Sequence, residues 1–503
     1  MDIQEALTLI KKQKKTNFNN VSAEDRIKFK DFISSCSTEQ IQEIFPHLMS
    51  VDEHSICYIK TKQAEKQGFN IKTHLSSLLK DILPVSNNEI ISRLDVNDEK
   101  IYMHNIRGLY STDEFYPSYH PKQIEGKKII KRLIDDFTNN NSAPAQKLKK
   151  TLDLYPLRIH IAKSNKDSTI NGNADFSNKQ YTLTITENAL DENNLDKLPG
   201  MLAHELSHLI DYASRPDGYM GHMAGEETFA DIYGQKIAEN AGYDSRPWAR
   251  YIADNDKREY YAKGIRPSGS FRLDSILQSE SQEKRIGSNL VETINKDISQ
   301  YQKIRENLMS DDSKDRLTKV TAAADTIFTD ILNQLNISDK TQAANIKHNK
   351  YCLMGIMKSI QNNYSQDHLE ILPDNLSVIQ SNEQFIKHCQ QSKSLSQYVK
   401  TTQNIDAEKN LKIGTLFVMT NITDYDVYKN NSADDLSHDN HANIVVGKSA
   451  QTGEPLLSAF SEENIAYHPN TFKKGYLVDL VGYLNDYENQ RTLSQHNSKN
   501  YGR

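Results

Sequence analysis

The run His204-Glu205-Leu206-Ser207-His208 constrains this chain more than any other stretch of it. Positions i and i+4 of an α-helix lie on one face, so a helix here carries both imidazoles on the same side, one turn apart. Two imidazoles at that spacing can hold one metal ion together, with Glu205 beside them to act as a base. The flanking residues predict such a helix. Asp196 and Pro199 suit a helix start. Leu202, Leu206, Leu209 and Ile210 form an apolar stripe at helical spacing. The metal face of His204, His208 and Asp211 lies beside that stripe, and the helix is expected to end near Ala213-Ser214, before Pro216 and Gly218.

A catalytic zinc site takes three protein ligands and keeps a fourth position open for water. The third ligand has to come from further along. Residues 225–233 read as a second helix that runs to about Asn240 and closes near Gly242. Glu227 is the candidate ligand. Asp231 lies one turn later on the same face and can accept a hydrogen bond from the far nitrogen of a ligand histidine, which fixes the tautomer. Glu226 competes, but its i+4 neighbour is Ala230, which orients nothing. Asp231 as a direct ligand is the remaining alternative, and Asp211 is expected to support the site without binding metal. Upstream, 157–161 and 181–186 alternate like half-buried strands. A polar loop around Asn171-Gly172-Asn173 is expected between them. The strand 181–186 is expected to offer an edge to an extended peptide.

With these residues the chain resembles a family. H-E-x-x-H followed by E-x-x-x-D or E-x-x-x-E on a second helix is the gluzincin pattern of thermolysin-like zinc peptidases. The more detailed match is to the anthrax-lethal-factor-like branch of bacterial toxins. His204 to Tyr212 is similar to that branch's H-E-x-x-H-x-x-D helix, and Glu227-Thr228-Phe229-Ala230-Asp231 to its E-x-F-A-E segment, with Asp for the last Glu. The resemblance spans roughly residues 155–245. It implies a zincin-like domain with Zn2+ held by His204, His208 and Glu227, Glu205 as general base, and a protein substrate. It also implies a tyrosine that steadies the oxyanion. Tyr219 is the candidate, one residue further from Glu227 than the family pattern, and His222 is a second. A metzincin would place glycine where Asp211 stands and His or Asp where Ser214 stands. An aspzincin would need Thr228, Asp231, Tyr233 and Gly234 at a different spacing.

The rest of the sequence bounds the setting. At 503 residues the chain is too long for one compact domain. It reads as an α+β multidomain protein, mostly helical. A helical region spans 1–125, the zincin-like domain 126–262, a helical hairpin or spacer 263–345, and a C-terminal α+β domain 346–503. Residues 126–150 read as one basic amphipathic helix leading into the zinc domain. The net charge of −6 gives no sign of a nucleic-acid surface. No run of 18 or more apolar residues is present, so no membrane span is expected. The start, Met1-Asp2-Ile3-Gln4, has no secretory pattern. The expected location is cytoplasmic, or a host cytosol reached by a signal-peptide-independent route, as for a bacterial effector or toxin. Four scattered cysteines read as free thiols.

The C-terminal part carries the alternative readings. Strands are expected over 414–419, 441–447 and 476–481. Cys352 near a helix start, followed by a strand that opens with His441 and ends in Gly447, is similar to the order in papain-like NlpC-type peptidases. That order implies a thiol hydrolase, since a thiolate at a helix N-terminus is activated by the dipole and a nearby His. A lone cysteine on an apolar helix otherwise packs as core. The region then reads as a binding or targeting domain of a non-proteolytic scaffold.

Overall fold

The computed structural model describes residues 2–16, scattered positions from 22 to 64, and 66–83, 88–94, 115–163, 172–177, 179–215, 224–255, 268–310, 352–364, 368–372, 382–408, 411–419, 442–458, 460 and 475–500. These form an α+β protein, mostly helical, in two compact units, Met1–Ser279 and Glu280–Arg503. No described helix is long and apolar enough to cross a membrane.

The first unit opens with α1 (Ile3–Thr16), α2 (Ile71–Leu79) and α3 (Asn88–Ser92). The single helix expected over 126–150 is instead two, α4 (Pro121–Thr138) and α5 (Ala143–Leu152). The break falls on Asn139-Asn140-Asn141-Ser142, whose side chains compete with the helical backbone for hydrogen bonds. The Ser142 amide donates to Asn140 Oδ1 (3.1 Å), and Ser142 Oγ accepts from the Ala145 amide (3.3 Å) to cap α5.

Three strands follow: β1 (Leu157–Ala162), β2 (Gly172–Ser177) and β3 (Gln180–Thr186). They pair in the order β1-β3-β2, with β1 parallel and β2 antiparallel to β3. This corrects two expectations. Residues 172–177 are a strand, although Gly, Asn and Asp disfavour one. The ladder with β3 imposes it, setting Gly172 opposite Ile185 and Phe176 opposite Tyr181, and Lys179 takes a positive φ of 57° in the turn. And β3 is paired on both sides, so it has no edge to offer. The outer strands of this sheet among the described residues are β1 and β2. Tyr181, Leu183 and Ile185 of β3 are wholly buried.

Among the described residues the remaining α-helices of this unit are α6 (Leu198–Ala213), α7 (Ala224–Asn240), α8 (Arg246–Asn255) and α9 (Gly269–Ser279). Every residue of α6 from Leu198 to Tyr212 is buried, the polar ones included. A helix buried all round lies at the centre of its domain. Its polar side chains therefore need partners inside the protein.

The second unit holds α10 (Gln282–Ser310), α11 (Cys352–Asn363) and α12 (Asn382–Gln391). Its strands are β4 (Val399–Thr402), β5 (Leu416–Val418), β6 (Ala442–Lys448), β7 (Pro455–Ser458) and β8 (Gly475–Val478), and it closes with α13 (Leu480–Asn500). The five strands pair antiparallel in the order β4-β8-β5-β6-β7. Alternate residues serve two cores: Leu416, Val418, Ile444 and Val478 pack with Leu290 and Ile356, while Phe417, Val445 and Leu477 pack with Ile405 and Leu457. The strand expected over 476–481 stops at Val478. Asp479 Oδ1 accepts from the Gly482 amide (2.8 Å), a side-chain cap that starts α13 at Leu480. Of the stretch 263–345 expected as a helical hairpin or spacer, residues 263–267 and 311–345 are not among the described ones, and α10 covers 282–310.

Candidate metal centre

Helices α6 and α7 pack with their backbones in close approach. Gly234 makes that possible: a Cβ there would lie 2.6 Å from the His204 amide nitrogen and 2.8 Å from the Ala203 carbonyl carbon. Glu227, Asp231 and Gly234 follow at i, i+4 and i+7, so they share the face of α7 that meets α6. That face delivers Glu227 to the two histidines. Glu227 Oε2 lies 3.5 Å from His204 Nε2, and Oε1 lies 3.9 Å from His208 Nε2. The two Nε2 atoms are 3.2 Å apart, with the rings edge to face.

These distances test whether a metal fits. Zinc binds nitrogen and oxygen at about 2.0–2.1 Å, so neighbouring corners of its tetrahedron stand about 3.3 Å apart. The two Nε2 atoms stand 3.2 Å apart, and each meets a different oxygen of Glu227, at 3.5 Å (Oε2 to His204) and 3.9 Å (Oε1 to His208). All three side chains are buried, and their donor atoms fall within a 4.8 Å span. No other group of three or more His, Cys, Asp or Glu converges in this way among the described residues. Two imidazoles and one carboxylate are the donor set of a catalytic zinc site.

The surroundings hold the donors in place. His204 Nδ1 lies 2.8 Å from Asp231 Oδ1, a close but bent contact. Arg272 of α9 grips Asp231 with two hydrogen bonds, from Nε (2.6 Å) and Nη2 (2.8 Å), and Nη2 also lies 3.4 Å from Glu227 Oε2. Burial alone would pull the His204 pKa down and that of Asp231 up. For His204, the charge and hydrogen bond of Asp231 outweigh burial and raise its pKa to about 9 without metal. For Asp231, the Arg272 guanidinium and His204 outweigh burial and hold its carboxyl below the usual range. His208 stacks on Tyr212, ring centres 6.0 Å apart. Glu205 is buried and lies against Gly172, where a Cβ would come within 2.9 Å of Glu205 Cγ. The first residue of edge strand β2 thus rests on the candidate base.

Asp211 and Glu226 lie in a second cluster. Arg215 donates from Nε to Asp211 Oδ1 (2.8 Å) and from Nη2 to Asp211 Oδ2, and its Nη1 lies 2.9 Å from Glu226 Oε1. His74 Nε2, from α2, lies 3.0 Å from Asp211 Oδ1. Burial first, and then the charge of Arg215, lower the His74 pKa to about 4. Its ring is therefore neutral near pH 7 and donates its Nε2–H to Asp211.

Tyr219 and His222 lie outside the described residues, as does His441. Cys352 opens α11 but is 1% exposed, and its Sγ donates to the Phe460 carbonyl (3.1 Å). Burial pushes that thiol up to about 12, so it is protonated at neutral pH. Sequence reasoning missed Arg272, Arg215, His74, Gly234 and the contact of Gly172 with Glu205. Arg215 stands at i+4 from Asp211, a spacing that signals an ion pair. Gly234 stands three residues after Asp231 on the same helix. Arg272 and His74 carry no local signal.

Comparison with protein-family models, curated proteins and solved structures finds no match to this chain.

Proposed function

We propose that the protein is a zinc-dependent endopeptidase of the gluzincin type, nearest in motif to the lethal-factor-like toxins, and that it hydrolyses a peptide bond in a protein substrate. One observation carries this reading: two imidazole nitrogens 3.2 Å apart and the Glu227 carboxylate converge in one buried cluster whose donor atoms lie within 4.8 Å, with Glu205 adjacent on the same helix. The same resemblance extends the proposal to a bacterial effector that acts in a host cytosol.

His204, His208 and Glu227 would hold the zinc. When bound, it supplies an acidified water and a charge that polarises the scissile carbonyl. Glu205 takes the proton of the attacking water and returns it to the leaving amine. Its burial, on a helix with no exposed face, keeps that carboxylate in one place. Asp231 orients the His204 ring, and Arg272 offsets the charge of Asp231 and Glu227. Strand β2, an outer strand of the sheet among the described residues, accepts an extended peptide by strand addition. Gly172 at the start of that strand leaves room for the Glu205 side chain beneath it.

The experiment is a comparison of new protein N-termini in a cell extract after incubation with the wild type or with Glu205→Ala. The expected result is a discrete set of new termini from the wild type only, with one zinc bound to each protein. Identical termini from both proteins would overturn the reading.

A further inference from the structure

Arg215 follows Ser214, the residue that closes α6, and is buried. Its side chain is wholly buried, as is that of Asp211, and Glu226 is 1% exposed. Its guanidinium spans the last turn of α6 and the first turn of α7. One edge grips Asp211, three residues past the ligand His208. Nη1 faces Glu226, the residue before the ligand Glu227. Its Cζ also lies 5.1 Å from the ring centre of Tyr212, and that ring stacks on His208. Arg215 therefore touches the neighbours of two ligands that sit on two different helices. It also engages the one glutamate that competes with Glu227 as a ligand.

We propose that Arg215 is a positioning residue for metal binding, resting on the zinc reading above. It locks the register of α7 against α6, draws Glu226 away from the histidines, and so leaves Glu227 as the third ligand. Asp211 is its anchor, and His74 completes that anchor from α2. A planar fork suits this task and an ammonium does not. Two carboxylates on separate helices are bridged by the fixed geometry of a guanidinium, whereas lysine offers a point charge on a flexible stem.

The test uses the full-length chain. Zinc affinity is measured by chelator competition, and the ligand field by visible absorption of the cobalt(II)-loaded protein. Two variants are compared with the wild type: Arg215→Lys, and the triple variant Asp211→Leu, Arg215→Met, Glu226→Met. The triple variant removes the charges of Asp211, Arg215 and Glu226 together, and replacing a buried ion cluster by apolar residues often preserves stability. The proposal expects zinc affinity to fall by about 10- to 100-fold in both, the range for losing a partner that orients a ligand. It also expects the cobalt spectrum to change while the melting temperature of the triple variant stays near that of the wild type. Wild-type affinity together with a wild-type cobalt spectrum in either folded variant overturns the proposal. If the triple variant does not fold, Arg215→Lys decides on the same two readouts. A wild-type chain that takes up no zinc overturns the metal reading and this inference together. Zinc uptake that the variants leave unchanged overturns this inference alone.

Discussion

His74 shows how much a single side chain far from the motif contributes to the setting of the site. It lies 137 positions before Asp211 in the chain, yet its Nε2 is 3.0 Å from that carboxylate. A neutral imidazole is the form that fits, since the guanidinium of Arg215 is already there. Its pKa of about 4 lies below the value of about 6.5 for a free histidine. A depressed pKa means that the unfolded chain binds the proton first as pH falls. The stability it contributes is therefore present above about pH 6.5 and is lost as pH falls through about 4. We expect the urea midpoint of the wild type to drop across that window and the drop to be shallower in His74→Gln. Parallel curves for the two proteins would show that His74 does not titrate in this way. The histidine pair, Glu205, Glu227 and Asp231 were legible from sequence because helix spacings of four residues encode them. His74 and Arg272 were not, because a contact across 137 or 41 positions leaves no periodic trace.

At the scale of elements, the packing of α6 on α7 decides whether the donors meet. Gly234 sits at that crossing, and what a Cβ would strike there is helix backbone, at 2.6 and 2.8 Å, which cannot turn aside as a side chain can. Gly234→Ala is expected to force the helices apart. Overfilling a packed core costs about 1–3 kcal/mol. The same shift carries Glu227 away from the histidines, so the bound zinc should fall below one per chain. A variant with wild-type stability and a full zinc would contradict this account of the crossing. The sheet shows where reading elements from sequence stops. Strand β3 is rich in β-branched and aromatic residues and announces itself. Strand β2 has the composition of a loop and becomes a strand only because β3 pairs with it. The same holds in the second unit. The apolar runs at β5 and β6 were readable, whereas the four-residue outer strands β4 and β7 were not.

For the whole molecule, the division between the two compact units falls between Ser279 and Glu280. Arg272 belongs with the first unit, since its two hydrogen bonds to Asp231 tie α9 to α7. His74 ties α2 to α6 from the other end of the unit. A buried carboxylate that loses its cation costs about 3–5 kcal/mol, a large share of the stability of one domain. The expected outcome is that a fragment of residues 1–279 folds and binds one zinc, while a fragment of 126–262 does neither. A folded 126–262 fragment with a full zinc would show that neither residue is needed. The most direct test of the central claim is anomalous diffraction at the zinc edge from crystals of the zinc-loaded protein. The account predicts one peak about 2 Å from His204 Nε2, His208 Nε2 and an oxygen of Glu227. A zinc peak elsewhere, or one at the histidines with Glu227 turned away from it, would contradict that claim.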